Sequence, residues 1–463
     1  MAANKVPSEL GTKNISTLLK EYAVPGIIAM TASSLYNMVD SVYIGHIPDV
    51  GSLSIAGLAV CFPLMNLSTA LGTLVGIGAS TMISVLLGRK DYDKANVVLA
   101  NDVTLNVLIG ALFALVTLVF LDPILMFFGA SEAILPYAHS YMEIILWGNV
   151  ITHLYFGLNS VIRVSGNPTM AMGLTIFTVT FNAILDPLFI YAFGMGVRGA
   201  AIATVICQSV ALAYAVWYFT DKKKVLRLSR KVFDLNWDIA KESLEIGMGP
   251  FLMNAASCIV AIFINQQLQK YGGDLSIGAY GIVNRLTFLF VMVSMGINQG
   301  MQPIAGYNFG ERKYSRVREV YLLSAKWATL TMTLGFVIAE FFPRAAVSIF
   351  TSDPQLEDVA ARGLRIICMM FPIVGFQMIA TNLFQSLGMV ERSVILSLSR
   401  QLLFLVPCVY LLPLGVGIDG VWASFPVSDG LSTLLTLGFL IDLFRKFGKL
   451  KDGDDPAILG SRI

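Results

Sequence analysis

Charge is scarce in this sequence. Asp, Glu, Lys and Arg together make up 13% of its 463 residues, against ~25% in a soluble globular domain. So few charges cannot keep a folded surface in water. The 56% apolar share and a mean hydropathy of +0.72 place most of that surface against lipid. The several water-soluble domains that the length alone would allow are thereby excluded. Neither sign of charge dominates: 32 basic residues against 30 acidic ones leave +2, without the basic face that a nucleic-acid partner requires. Histidine is reduced to His46, His139 and His153, in no HxxxH or HExxH pattern. Cys61, Cys207, Cys258, Cys368 and Cys408 fall singly in apolar stretches with no CxxC, so they read as packing residues rather than a metal or redox centre. No cofactor and no resident metal are expected. Met1 to Ser16 is polar and lacks the basic-then-apolar layout of a cleaved signal, so the first apolar segment is expected to stay as a membrane helix.

Long apolar runs are what the sequence has in quantity. A span needs about 20 predominantly apolar residues. Breaks at charged or Gly/Pro clusters give spans near 17–44, 53–87, 97–121, 134–162, 167–194 and 198–220. After the basic stretch Asp221 to Trp237 come 244–270, 276–305, 320–342, 362–387, 392–414 and 418–443. The expectation is an all-α polytopic membrane protein of twelve spans. Positive charge gathers in alternate loops: Arg89, Lys90 and Lys94; Lys222 to Lys231; Arg312 to Arg318; and the tail from Arg445 to Lys451. The opposite loops offer little beyond Arg198, Lys270 and Arg344, so both termini are expected in the cytoplasm.

At an offset near 221 the chain aligns with itself. Gly88-Arg89-Lys90-Asp91-Tyr92 falls on Gly310-Glu311-Arg312-Lys313-Tyr314, Gly166 on Gly388, and Gly194 to Gly199 on Gly415 to Gly420. Six spans per half make the repeats parallel, related by an axis along the membrane normal. The expected division is an N-terminal six-helix lobe 1–220, a basic cytoplasmic linker 221–243, a C-terminal six-helix lobe 244–443 and a cytoplasmic tail 444–463. Two such lobes suit rocking about a central cavity; no filter-like carbonyl motif or ring of acids indicates a static pore.

Charges at membrane depth need a partner or a function. Asp40 precedes the outer end of the first span by about five residues and Asp186 that of the fifth by eight; Thr204 lies about six residues inside the sixth. At 1.5 Å per residue all three share a depth of roughly 7–12 Å. Asn182 and Asp186 are four apart on one helix face, as are Tyr36 and Asp40. Two carboxylates, a carboxamide and a hydroxyl could hold Na⁺. A close acid pair would equally share a proton, because two like charges in a low dielectric cannot both be kept ionised at little cost. Pro187 frees the carbonyl at residue 183 as a further ligand or bend point, and Pro25 could bend the first helix. The bland alternative has Asp40 capping a loop and Asp186 a broken helix. The second half has no equivalent acids. Glu143, Asp102 and Asp429 stand open between pathway, interface and pairing roles, and Arg285 between balancing an acid and snorkelling. Met (20) and Phe (29) read mainly as packing.

Several segments together resemble the MATE (multidrug and toxic compound extrusion) family, in its DinF-like, MepA-like bacterial branch. They are Leu35-Tyr-Asn-Met-Val-Asp-Ser-Val-Tyr-Ile-Gly45, Asn182-Ala-Ile-Leu-Asp-Pro187, Gly199-Ala-Ala-Ile-Ala-Thr204 and Gln299-Gly-Met-Gln-Pro-Ile-Ala-Gly-Tyr-Asn-Phe-Gly310. The resemblance implies a two-lobed multidrug efflux transporter of the bacterial inner membrane, exchanging amphipathic, cationic organic compounds for Na⁺ or H⁺. It places the coupling site on Asp40, Asn182, Asp186 and Thr204, with Tyr36 and Pro187 as accessories. A monomer in contact with membrane lipid is expected. Another MATE branch keeps acids in its second lobe; here Ala261 to Gln267 reads apolar then amide, so no second-lobe carboxylate site is expected. The alternative function is a flippase for lipid-linked oligosaccharide or peptidoglycan precursors. That cargo would need a basic cavity, for which Arg163 and Arg285 are the intramembrane candidates. A membrane enzyme lacks any nucleophile–base arrangement or metal motif to support it.

Overall fold

In lipid, every backbone polar group must find its partner within the protein, so apolar runs of span length fold as helices. In the computed structural model, every regular element among the described residues is helical. The structure describes residues 9–221, 223–228, 235–350 and 353–459, excepting the side chains of 35–39, 41–42, 45, 51–52, 55, 274 and 457–458. The first half supplies α1 (Ile15–Gly45), α2 (Gly51–Gly88), α3 (Tyr92–Val119), α4 (Leu135–Trp147), α5 (Asn149–Val164), α6 (Pro168–Pro187) and α7 (Val197–Thr220). The second supplies α8 (Trp237–Gly273), α9 (Leu275–Gly310), α10 (Tyr314–Phe341), α11 (Pro354–Cys368), α12 (Phe371–Ser386), α13 (Val390–Leu398), α14 (Val406–Leu411) and α15 (Ile418–Phe447).

Nine helices among the described residues are long and apolar enough to cross a membrane, ten when α11 and α12, bent 54° to each other, are taken as one span. The twelve-span layout is completed by α1 and by α4 with α5, a span broken at Gly148. The seventh span starts earlier than its apolar run: α8 opens at Trp237, seven residues before residue 244, because its first turns are amphipathic and lie ahead of the hydrophobic stretch.

The repeat is written into the backbone. Lys90 (φ 62°) and Arg312 (φ 59°) adopt the same left-handed turn, 222 positions apart. Gly166 and Gly388 share positive φ in matching loops. Gly196 (φ 56°, ψ −139°) and Gly417 (φ 61°, ψ −137°) precede α7 and α15 in the same conformation, one that side-chain-bearing residues avoid. The break between α4 and α5 recurs between α11 and α12, so Asn149 and Phe371 open corresponding segments.

The helices gather into two compact units, neither of them continuous in sequence. The first contains Met1–Thr12 and Ile28–Phe251, the second Lys13–Ile27 and Leu252–Ile463. The start of α1 thus packs within the second unit and the start of α8 within the first. Small residues make each packing possible. In the first unit, a Cβ on Gly78 or Gly247 would collide with the carbonyls of Ser243 and Leu74 respectively. In the second, a Cβ on Gly26 would lie 2.6 Å from the Gly296 carbonyl oxygen, and one on Gly300 2.5 Å from the Ala23 nitrogen. The first unit also holds a core around Ile44, Leu64, Tyr141, Leu146 and Ile190; the second is centred on Leu268, Val283, Met332, Leu364 and Trp422.

Candidate functional site

The acid-bearing segments meet at one end of the first unit because a proline redirects a helix there. Pro187 has no N–H to give, and the five residues that follow, Leu188–Ala192, continue as a wider π-helical turn. This turn carries the Tyr191 hydroxyl to the Tyr43 carbonyl of α1, to which it donates at 2.6 Å. Gly199, at the start of α7, has room for no side chain: a Cβ there would lie 2.7 Å from the Phe189 carbonyl. The end of α6 is thus fixed against both α1 and α7.

Asp40 on α1 and Asp186 on α6 come together in this corner. Asp186 is 0% exposed and Asp40 5%. Their carboxyl groups reach each other, and Asn182 lies beside Asp186 one turn earlier on α6. Neither oxygen of Asp186 nor Oδ1 of Asp40 receives a well-formed hydrogen bond from a protein donor among the described residues. Asn182 is buried and donates through Nδ2 to Thr204 Oγ1 at 3.3 Å; its Oδ1 has no well-formed donor among the described residues. Thr204 in turn donates to the Ala200 carbonyl at 3.1 Å. Four of the residues expected from the sequence therefore occupy one cluster, Asp40, Asn182 and Asp186 buried and Thr204 half-buried, and Pro187 adjoins it through the π turn. The Tyr36 side chain lies outside the described residues.

Chemically, the corner collects oxygen acceptors and few donors. No ion pair among the described residues touches either acid. Two carboxyls facing each other away from water need positive charge between them, whether a proton or a metal cation.

Two features near the site had escaped the sequence reading. Cys207, one turn beyond Thr204 on α7, is 1% exposed and interacts with both Asn182 and Asp186. Thr175, Thr178, Asn182 and Asp186 recur at helical spacing along α6. Opposite them, Tyr155 hydroxyl lies 3.4 Å from Thr178 Oγ1, and Asn159 donates to Thr175 Oγ1 at 3.3 Å. The i+3/i+4 spacing of those polar residues was the available signal.

The other membrane-level charges are placed elsewhere. Asp429 on α15 accepts from Arg400 Nε at 2.8 Å, within the second π-helical stretch, Ser399–Leu405. Asp102 on α3 accepts from Asn106. Glu143 is half-buried and Arg285 exposed. Arg400 lies inside the span expected over 392–414 and is a further intramembrane basic residue beside Arg163 and Arg285.

A helical membrane protein of two tandem six-span repeats, with paired acids buried, among the described residues, in only the first of them, is the class that this fold and this cluster define. Comparison with known proteins gives the family. The MatE family model matches residues 25–188 and 247–411, and the chain belongs to that family: it is a multi-pass membrane transporter and not an enzyme. Among curated relatives, "Multidrug export protein MepA" of Staphylococcus aureus (strain MSSA476) is 27% identical over 425 residues, covering 90% of this chain and 92% of that protein. A solved structure of the MATE multidrug transporter DinF-BH, in complex with a ligand, is 36% identical, with a TM-score of 0.85 over 93% of this chain and 96% of that one. An outward-facing multidrug resistance MATE family transporter of the MOP superfamily superposes with a TM-score of 0.89 over 97% and 100% of the two chains; at 22% identity it speaks for the fold.

Proposed function

We propose that this protein is a secondary active multidrug exporter of the bacterial inner membrane that couples entry of Na⁺ or H⁺ to extrusion of amphipathic, cationic organic compounds. Both termini are cytoplasmic in this reading. The lobes 1–220 and 244–443 are joined by a cytoplasmic linker, 221–243, and followed by a cytoplasmic tail, 444–463. The observation that carries it is the meeting of the Asp40 and Asp186 carboxyls in a buried corner where no ion pair among the described residues supplies a cation. Such a pair takes up a monovalent positive charge from one side and must lose it before the reverse step, which is what antiport requires. Asn182 and Thr204 complete the oxygen set, and Tyr36 and Pro187 are accessory. The relatives' names support the cargo class. Against a pyrophosphate-bearing lipid cargo stands the neutralisation of Arg400 by Asp429 at 2.8 Å.

The test is extrusion of ethidium, a fluorescent cationic dye, from proteoliposomes under separately imposed Na⁺ and pH gradients, with Asp40→Asn and Asp186→Asn alongside. A tenfold ion gradient stores about 1.4 kcal/mol per ion exchanged, so a one-ion cycle sustains roughly a tenfold dye gradient. We expect one gradient to drive extrusion and either substitution to abolish it. Full extrusion by both variants would end the reading.

A further inference from the structure

The last spans of the two repeats are followed by segments that turn back in the same way. After α7 the linker reaches the start of α3, where Asn96 donates through Nδ2 to the Val225 carbonyl at 3.0 Å and accepts from the Arg227 N–H at 2.8 Å. After α15 the tail reaches the start of α10, the corresponding helix. There the Gly453 N–H donates to the Arg312 carbonyl at 2.9 Å, and Tyr314, 2% exposed, donates its hydroxyl to the Asp454 carbonyl at 2.8 Å. Gly453, at φ 103°, allows the tail to bend at that point.

The two helix starts differ in what caps them. A first turn leaves backbone N–H groups without intrahelical partners, and a side-chain oxygen just ahead of it meets one of them. Helix α3 supplies its own cap: Asp91 (φ −88°, ψ 75°) accepts from the Lys94 N–H at 3.1 Å. At the same position α10 has Lys313, with nearly the same backbone (φ −98°, ψ 72°) and no capping bond. An ammonium has no lone pair to accept with, and the positive end of a helix disfavours it; that of Lys313 turns to Glu311 at 2.8 Å. Asp452 of the tail stands in. Its Oδ1 accepts from the Ser315 N–H at 3.1 Å, and its Oδ2 from the Ser315 hydroxyl. The pair Arg312–Asp455, 3.5 Å apart with side chains 46% and 69% exposed, adds little. Arg316, the next residue of α10, carries the connection further. It donates from Nε to Asn308 Oδ1 of α9 and from Nη2 to the Lys13 carbonyl, just ahead of α1, both at 2.7 Å.

We propose that the tail is a strap: Asp452 caps α10 in place of Lys313, and the first turn so fixed holds Arg316 against Lys13 and with it the start of α1. In the first repeat the cap belongs to the turn that enters the helix and cannot be withdrawn. In the second it sits on a separate, exposed segment and can be. Lifting the tail therefore loosens two helices together, α10 and the one that bears Asp40. A change at the exposed tail reaches α1 without passing through the coupling site.

The test is hydrogen–deuterium exchange of the full-length protein in lipid nanodiscs, read by mass spectrometry over 13–18, 92–97 and 314–318. In Asp452→Ala we expect 314–318 to exchange roughly fivefold faster, the measure of one lost helix cap. Segment 13–18 should quicken with it, while 92–97 keeps its rate. Lys313→Asp, added to Asp452→Ala, places a carboxylate where Asp91 stands in the first repeat and should return both segments to the original rate. Unchanged exchange in Asp452→Ala, or an equal rise over 92–97, would overturn the strap. So would a failure of Lys313→Asp to restore 314–318. A rise confined to 314–318 would overturn the hold on α1. Neither Asp452 nor Lys313 is buried, so the variants leave the packed helices intact.

Discussion

The Arg400–Asp429 pair offers a quantitative test of how the second unit is held together. The Asp429 side chain is 7% exposed and meets Arg400 Nε at 2.8 Å, while Arg400 keeps 35% of its side chain accessible. Ser428, beside the acid, donates to the Arg400 carbonyl at 2.8 Å, tying the π-helical stretch to α15 a second time. Removing one partner of a fully buried pair costs roughly 3–5 kcal/mol, because the survivor is left uncompensated. Arg400 keeps part of its side chain accessible, so Asp429→Ala is expected below that range, at about 2–3 kcal/mol. Arg400→Met should cost more, about 3–5 kcal/mol, since it strands the more deeply buried acid. The double variant Arg400→Met/Asp429→Leu strands neither charge and should recover about 1–2 kcal/mol of the summed losses. The assay is equilibrium unfolding of the detergent-solubilised protein for the four corners of the cycle. Losses that simply add, to within ~0.5 kcal/mol, would show that the two charges do not interact energetically and would refute the reasoning.

Two further outcomes are expected. Gly247→Ala drives a methyl into the Leu74 carbonyl and should cost about 1–3 kcal/mol, whereas Gly438→Ala, in α15 with nothing within 4 Å, should be neutral or stabilise by up to ~1 kcal/mol; thermal unfolding that lowers Tm equally in both would remove close helix packing as the cause. Gly196→Ala and Gly417→Ala should each lose about 1–3 kcal/mol from their shared positive-φ conformation; chemical unfolding that finds one costly and the other silent would contradict the equivalence of the two repeats.

Much of this architecture was legible in the sequence because lipid leaves the backbone few choices. Apolar length marked the spans, and the loops at Gly88–Tyr92 and Gly310–Tyr314 announced the repeat that Lys90 and Arg312 then express in φ. The meeting of Asp40 with Asp186 was legible for a related reason: acids so costly at membrane depth are few, and these two shared a depth. What stayed hidden depends on contacts between distant segments. Gly148 carries no breaker motif, yet its span divides there, and a Cβ on it would strike Val205. The π-helical stretches have no composition of their own. His153 looked like an isolated histidine because Ser68, whose hydroxyl it meets at 3.1 Å, comes from 85 positions away. The exchange of the starts of α1 and α8 was equally invisible, since nothing in Gly26 or Gly247 says which helix will press against it.

That exchange has a consequence for synthesis. Residues 13–27 leave the ribosome among the first, yet Gly296 and Gly300, on which they pack, are some 270 positions further on. At 5–20 residues per second the interval is roughly 15–50 s. Through that time the start of α1 has no permanent neighbour, and the first unit likewise waits for Phe251 before it is whole. A gene cut between the repeats would therefore yield two polypeptides, each missing a piece carried by the other. Neither half should mature alone, and activity should return only where both are made in the same membrane.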